Sequence, residues 1–429
     1  MREELIEIKG LEPRGDGVAY LEDGRSVYVP RSAVGDKLRV KVHENKQGIL
    51  RGSILEEIER GADRVEPPCP YFKSCGGCQL QHISEQGYRT WKLGLVQEAL
   101  RIRRVVPEEI LDPIFVPAHS RRRTSWAVKM HSNGHVDIGY NQQRTHSITP
   151  INDCTILCPE LNDMLTSIIP YLKRLLRNGR NASIFAQRSD TQTEILITGD
   201  LASKRGEMDL KIMEAIADLG QDLDIARISW RAKDTHTARV MLERESFTKQ
   251  YGRLTAPLPP GTFMQPTAMG EQALVKAVMS AVETYITKKK PRFADLFAGS
   301  GCFSGHLVAR GSVDAFEFSE DAIQTLSKAV GGLAIQAHER NLFERPLSVK
   351  ELSSYEAVIF DPPRAGAKEQ AAELADSKVP LVVAISCNPR SFARDAALLT
   401  EGGYRLRTLQ CVDQFVYSSH VEVIGVFTR

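Results

Sequence analysis

The chain of 429 residues is too long for one compact core, so two or three domains are expected. Its formal net charge of +2 excludes binding driven by bulk charge and leaves any nucleic-acid contact to local patches. The charged start MREELIEIKG and the absence of a long apolar run exclude a signal peptide and a membrane span, so a cytoplasmic protein is expected. In that compartment the 8 cysteines point to metal binding or catalysis rather than to a disulfide framework.

Residues 1 to about 60 read as short alternating strands, such as Ser26-Val27-Tyr28-Val29 and Lys37 to Val42, punctuated by Gly15-Asp16-Gly17 and Gly35-Asp36. This pattern predicts a small five-stranded barrel of the oligonucleotide-binding (OB) kind. Lys37, Arg39, Lys41, Lys46 and Arg51 fall on its outward positions, where they would either track a phosphate backbone or form an ordinary solvated face.

Residues 61 to about 90 are rich in Pro, Gly and Cys, a composition suited to a loop wrapped around a metal. Cys69-Pro-Tyr-Phe-Lys-Ser-Cys75-Gly-Gly-Cys78 brings three thiols within ten residues, and Cys154 follows in Asn152-Asp-Cys154. Three close thiolates and one distant one suit a tetrahedral metal site or an iron–sulfur cluster, and spacing does not separate zinc from iron–sulfur. Cys158 competes with Cys154 as fourth ligand.

From about 90 to 250 helix and strand patterns mix, starting with a helix around Trp91 to Ile102 and running through the basic triplet Arg121-Arg122-Arg123. A break at 255–261 precedes the last third. There a helix over 271–287 and others alternate with apolar strands near 292–298, 312–318, 355–361, 379–386 and 421–428, which predicts a doubly wound α/β sheet.

Three points on that sheet carry chemistry. Phe293-Ala-Asp295-Leu-Phe297-Ala-Gly299-Ser-Gly301-Cys302-Phe-Ser-Gly305 has the form of a strand, a glycine turn and a helix, and Glu317 ends the next strand where ribose hydroxyls are bound in such units. The dinucleotide fingerprint is broken by Ser304, which fits a cofactor without a pyrophosphate such as S-adenosylmethionine (SAM). Asp361-Pro-Pro-Arg364 and Ser386-Cys387-Asn388-Pro389 then each follow an apolar strand at the carboxyl edge, where open α/β sheets bind ligands. Cys387 precedes the helix 391–400, whose N-terminal amides are expected to lower the thiol pKa.

Glu422, in His420-Val421-Glu422, is a carboxylate at the start of an apolar strand and is expensive to bury unless it is paired or moves a proton. These parts fit addition of the Cys387 thiolate to carbon 6 of a uracil. Carbon 5, so activated, would take a methyl group, and Glu422 would act as base in releasing the product. The base would leave the RNA stack and pack on an aromatic side chain such as Phe263.

The cluster cysteines, Phe263-Met-Gln265, Asp295-Leu-Phe297, Asn341-Leu342, Asp361-Pro-Pro-Arg-Ala-Gly366, Ser386-Cys-Asn-Pro389 and His420-Val-Glu422 occur in the order of the RumA/TrmA family of RNA 5-methyluridine methyltransferases, which the chain resembles over nearly its whole length. The resemblance implies a C-terminal class I SAM-methyltransferase domain (256–429) of Rossmann-like α/β form. It further implies an OB-like TRAM β-barrel (1–60) and a central α+β domain (61–255) in which Cys69, Cys75, Cys78 and Cys154 hold a 4Fe-4S cluster. It places Gln265, Phe297, Cys302, Glu317, Asn341 and Asp361 in the SAM pocket, although position 302 is Asn and 298 is Cys in the RumA-like pattern. Barrel plus cluster resembles the ribosomal-RNA branch, RlmD and RlmC, and implies a monomer acting on 23S rRNA, with neither DNA nor membrane as partner. The competing readings are the same chemistry on tRNA, DNA cytosine methylation, and a non-catalytic iron–sulfur protein that holds RNA phosphates with Arg121, Arg122 and Arg123.

Overall fold

The alternation expected near the N-terminus is realised in the strand Lys37–Glu44, where Leu38, Val40 and Val42 turn inward and Lys37, Arg39 and Lys41 outward. In the computed structural model, which describes residues 2–143, 145–202 and 209–429, this strand belongs to a six-stranded sheet. The sheet runs in the order Arg2–Glu7, Lys37–Glu44, Leu50–Glu59, Ser26–Val29, Gly17–Tyr20, Gly10–Leu11, around a core of Ile6, Ile8, Val27, Val29, Leu38 and Val40. It has one strand more than expected, the two-residue Gly10–Leu11, too short for alternation to reveal. The outward cations are largely spoken for. Lys37 pairs with Glu59 at 2.6 Å, Arg39 with Glu56, and Arg51 with Asp16 at 2.8 Å, so of the five expected to track phosphates Lys41 and Lys46 stand exposed without such a carboxylate among the described residues.

The middle of the chain forms a seven-stranded sheet centred on Arg123–Met130, Asn181–Arg188 and Thr193–Thr198. Helices Pro159–Ser167, Ile169–Leu175 and Leu210–Asp222 cover it, and Trp126, Ile184, Ile195, Leu165 and Ile216 fill the space between.

The last third forms a nine-stranded sheet, ordered Ile335–Glu339, Ser312–Glu317, Arg292–Leu296, Ala357–Phe360, Leu381–Ser386, Glu422–Thr428, Arg405–Asp413 and Glu109–Ile110, with Ile114–Phe115 also beside Arg405–Asp413. The five strands nearest its first edge are parallel; Glu422–Thr428 runs antiparallel to both its neighbours. Strand order reverses between Arg292–Leu296 and Ala357–Phe360, which makes a crevice at their carboxyl ends.

One sheet face packs on Ala268–Tyr285 through Leu274 and Val278, the other on Pro389–Glu401 through Phe392 and Ala396. Helix Glu85–Arg103 joins the second face with Val96, Ala99 and Leu100. It starts six residues before the expected Trp91 because the Ser84 hydroxyl accepts from the Gly87 amide at 3.1 Å, an N-cap that apolar periodicity does not register.

Candidate active site

At the tip of Arg292–Leu296 the chain turns through Phe297 (φ 61°), Gly299 (φ 54°) and Gly301 (φ 88°), left-handed conformations that glycine takes without strain and Phe297 does not. A Cβ added to Gly301 would sit 2.9 Å from the side chains of Leu254 and Leu326. Ser304, the residue that breaks the dinucleotide fingerprint, has a use of its own: its amide (2.8 Å) and hydroxyl (2.6 Å) both donate to Asp295 Oδ2. Burial still pushes the Asp295 carboxyl up to about 7.

Glu317 reaches across the same turn and accepts from the Gly299 amide at 3.0 Å, so the glycine turn and the acidic strand end meet. Beside it the rings of Phe297 and Phe343 lie 5.4 Å apart, and Asn341 Oδ1 accepts from the Phe343 amide at 3.1 Å. Cys302 opens the helix Cys302–Leu307, its thiol pushed well up by burial and then by Glu271, Asp295 and Asp361. Asp295 Oδ1 and Ser300 Oγ are buried without a partner, so the turn presents unsatisfied polar atoms of the kind a bound ligand would engage.

The second half of the site is a chain of amides between two carboxylates. Gln265 Nε2 donates to Asp361 Oδ2 at 3.1 Å, and Gln414 Nε2 donates to Gln265 Oε1 at 2.7 Å and to Glu422 Oε1 at 3.3 Å. Asp361 and Glu422 are both pushed up, by burial first and in Glu422 also by the neighbouring Asp361. Glu422 Oε2 is buried and unpartnered. Strand register brings the nucleophile candidate alongside: Ser386 pairs with Val423 antiparallel, so Cys387, one residue on, lies next to Glu422, one residue back.

The Cys387 thiol differs from expectation. It is pushed up to about 11 by burial, then by Glu422 and Asp361, with Arg364 opposing. The helix behind it offers little relief, because Asn388 is its N-cap and Pro389 occupies the first position, where there is no amide hydrogen to donate. At pH 8 iodoacetamide is therefore expected to alkylate Cys387 about 100-fold more slowly than an unperturbed thiol, with the rate rising as pH approaches 11. Peptide mass mapping checks this; a rate at pH 8 equal to that of free cysteine would contradict it.

Cys387 opens onto a cavity of about 770 Å³ shared by Arg364 and His420, the N-terminal sheet (Arg14, Arg51) and helix Glu85–Arg103 (Trp91). The His420 ring meets Arg364 at 3.4 Å, and burial pushes it down to about 4, so it is neutral at pH 7.

Two arginines of the triplet are committed within the fold. Arg122 is buried, donates to Gln265 O at 3.0 Å and pairs with Glu271 at 2.7 Å. Arg123 donates to Met264 O at 2.8 Å and lies 4.4 Å from the ring centre of the exposed Phe263, with burial pushing it down to about 10. Arg122 and Arg123 strap the Phe263–Gln265 segment over the site, while Arg121 donates to Arg123 O at 3.0 Å.

The four cysteines expected to bind a cluster line a separate cavity of about 290 Å³, together with Tyr71, Tyr140 and Arg121. Cys158 is not among the lining residues; its thiol faces Glu160 and Arg188. Among the described residues no three His, Cys, Asp or Glu side chains converge as ligands of a single metal ion.

The profile of the tRNA (uracil-5-)-methyltransferases matches residues 117–429, and that of the TRAM domain matches 2–55. The chain belongs to the tRNA (uracil-5-)-methyltransferase family. An uncharacterized RNA methyltransferase of Brucella suis is 35% identical over 99% of this chain and 97% of its own length. The 23S rRNA (uracil(1939)-C(5))-methyltransferase RlmD of Halomonas elongata is 29% identical over 98% of this chain and 88% of its own length. The crystal structure of Pyrococcus abyssi tRNA (uracil-54, C5)-methyltransferase with S-adenosyl-L-homocysteine shares the fold, with a TM-score of 0.74 and 22% identity over 99% of both chains.

Within this uracil-5-methyltransferase chain, sequence reasoning missed Gln414 and Phe343, and it quoted Arg364 in a motif without giving it a role. Gln414 is marked only by following Asp413 after the apolar Cys411-Val412, and its role depends on contacts made across the fold.

Proposed function

We propose that the protein methylates carbon 5 of a uridine in 23S rRNA, with SAM as methyl donor and a covalent bond between Cys387 and the uracil ring as intermediate. The observation that carries the reading is the strand register that sets Cys387 beside Glu422 at the carboxyl edge of the sheet, with Asp361 joined to Glu422 through Gln265 and Gln414. The Cys387 thiolate adds to carbon 6, and the electrons of the ring double bond move onto carbon 5 and the 4-oxygen. Carbon 5 then takes the methyl group of SAM, whose carbon–sulfur bond breaks to leave S-adenosylhomocysteine. The Glu422 carboxylate removes the carbon 5 proton, the electrons of that bond restore the double bond, and the bond from carbon 6 to sulfur breaks to return the thiolate.

The SAM reading rests on fit. Glu317 stands where ribose hydroxyls are held, Asp361 and Gln265 border the crevice, and the orphaned Asp295 Oδ1 and Ser300 Oγ await partners. Phe297 and Asn341 flank Phe343, and Cys302 lies at the turn. The sulfonium of SAM is a positive charge entering among carboxylates, and a cation there favours the ionised forms of Glu422 and Cys387. This offsets the high thiol pKa that burial imposes.

The choice of 23S rRNA follows the joint presence of a TRAM domain and the four cysteines and the likeness to RlmD. Incubation with labelled SAM and RNA from cells lacking this protein, followed by mapping of the label, tests it. Label at carbon 5 of a 23S rRNA uridine is expected; label confined to tRNA would move the substrate, and label on another atom would overturn the reaction.

Cys69, Cys75, Cys78 and Cys154 are proposed to hold a 4Fe-4S cluster. Their thiols interact electrostatically, and the Gly77 amide points at Cys75 Sγ (3.4 Å) as amides do at cluster sulfurs. The cavity they line suits a group larger than one ion. A cluster there would tie the 69–81 segment to the middle sheet; no step of methyl transfer passes through it. Anaerobically purified protein is expected to be brown with about four irons per chain, read by metal analysis; a colourless protein with zinc would refute the cluster.

A further inference from the structure

The loop between strands Arg405–Asp413 and Glu422–Thr428 carries Gln414 at its start and leads into Glu422 at its end. It contains Tyr417 in a left-handed conformation (φ 60°), a conformation that persists only where surroundings enforce it. From one side the cysteine segment holds it: the Gln79 and Leu80 amides donate to Tyr417 O at 2.8 and 3.2 Å, and the Ser419 amide donates to Gln79 Oε1 at 3.2 Å.

From the other side helix Glu85–Arg103 holds it through a lysine. Lys92 falls on the same stripe as Val96, Ala99 and Leu100, where a helix facing a sheet ordinarily carries an apolar residue, and it is only 1% exposed. Its ammonium donates to Asp413 Oδ1 at 2.9 Å and also to the carbonyl of His420. Asp413, 2% exposed, further accepts from the Tyr88 hydroxyl and from the Phe415 amide at 3.1 Å, and the Tyr88 oxygen in turn accepts from the Tyr417 amide at 3.0 Å. Lys92 thus bonds both ends of the loop, one residue before Gln414 and two before Glu422.

Stability alone does not call for this arrangement. Two buried charges cost about as much to desolvate as their attraction returns, and apolar side chains of similar volume commonly do as well or better. What methionine or leucine could not do is bond two points of one loop at once.

We propose that Lys92 is a positioning residue for product release, fixing the span between Asp413 and His420 so that Gln414 and Glu422 are set against Cys387. The inference rests on Glu422 being the base. Nothing reacts at Lys92; its effect is read in the step that Glu422 performs.

The test uses the full-length protein with SAM and RNA from cells lacking it, and compares Lys92→Met with the double variant K92M/D413N, which removes both buried charges and so leaves none unpaired. In each, turnover is expected to fall about 10- to 100-fold, the scale of a small misplacement of a catalytic group. The KM for SAM should stay at the parental value, and a protein–RNA adduct that survives denaturation should build up. A merely structural lysine would instead lower activity in proportion to the folded fraction, measured by circular dichroism, with no adduct. That result, or parental turnover in the folded double variant, overturns the inference. Glu422→Gln run in parallel separates the two claims: an adduct there but none in the Lys92 variants sinks only the positioning role, whereas no adduct in Glu422→Gln removes the base assignment beneath it.

Discussion

Replacing Cys387 by alanine is expected to lower methyl transfer by on the order of 10⁴-fold or more, because the covalent route is then closed and carbon 5 of uracil is left as a poor nucleophile. The substitution removes one sulfur from a half-buried position at the end of Leu381–Ser386, with an expected stability cost of about 1 kcal/mol. Because it alters no charged side chain, on the 770 Å³ cavity or elsewhere, RNA binding should remain intact. The measurement is transfer of labelled methyl alongside a gel-shift titration with the same RNA. Turnover at the parental rate would exclude Cys387 as nucleophile, and loss of binding in step with loss of turnover would mean that the thiol had been holding the fold.

Glu422→Gln should stop the reaction one step later. Gln keeps an oxygen to accept from Gln414 Nε2, so the amide chain through Gln265 to Asp361 survives, but the group that would take the carbon 5 proton is gone. One methyl per chain is expected to transfer, and the protein should then migrate as a covalent RNA adduct on a denaturing gel. Repeated turnover without adduct would contradict the assignment.

The same variant has a stability signature whose sign can be worked out. Burial raises the Glu422 carboxyl above 4.5 in the folded protein, so the folded state holds this proton to higher pH than the unfolded chain does. Folding stability therefore falls as pH rises from about 4.5 through the folded value, and Gln, which does not titrate, removes that loss. The variant should melt higher than the parent at pH 8 and more nearly alike at pH 4.

Much of this site could be read in the chain itself, for identifiable reasons. Parallel strands buried on both faces are continuous apolar runs, so Ala357–Phe360 and Leu381–Ser386 announce themselves, and the polar residues that interrupt such runs at one end, Asp361, Cys387 and Glu422, stand out against them. The edge strand Ile335–Glu339 was missed because Gln336, His338 and Glu339 give it a solvent-facing composition, and Glu109–Ile110 because two residues carry no period. The high pKa of Cys387 was missed for a different reason: a helix start is visible in sequence, but the burial of the thiol and, after it, the carboxylates that face it arise from other strands. Arg122 and Lys92 make the same point, since their partners Glu271 and Asp413 lie far along the chain.

The completion of the C-terminal sheet by residues 109–115, and of its second face by helix Glu85–Arg103, bears on how a growing polypeptide reaches this fold. The stripe of Val96, Ala99 and Leu100 leaves the ribosome long before helix Pro389–Glu401 and the rest of the core it joins, Phe392 and Phe427 among them, have been made. Until then an apolar helix and its ammonium are without their neighbours, and residues 109–115 have yet to meet the strand edge of Arg405–Asp413. The last hundred residues thus close a sheet whose first pieces have been waiting since early in synthesis, and a fragment begun after the break near 255 would expose that strand edge and leave Asp413 without its counter-charge.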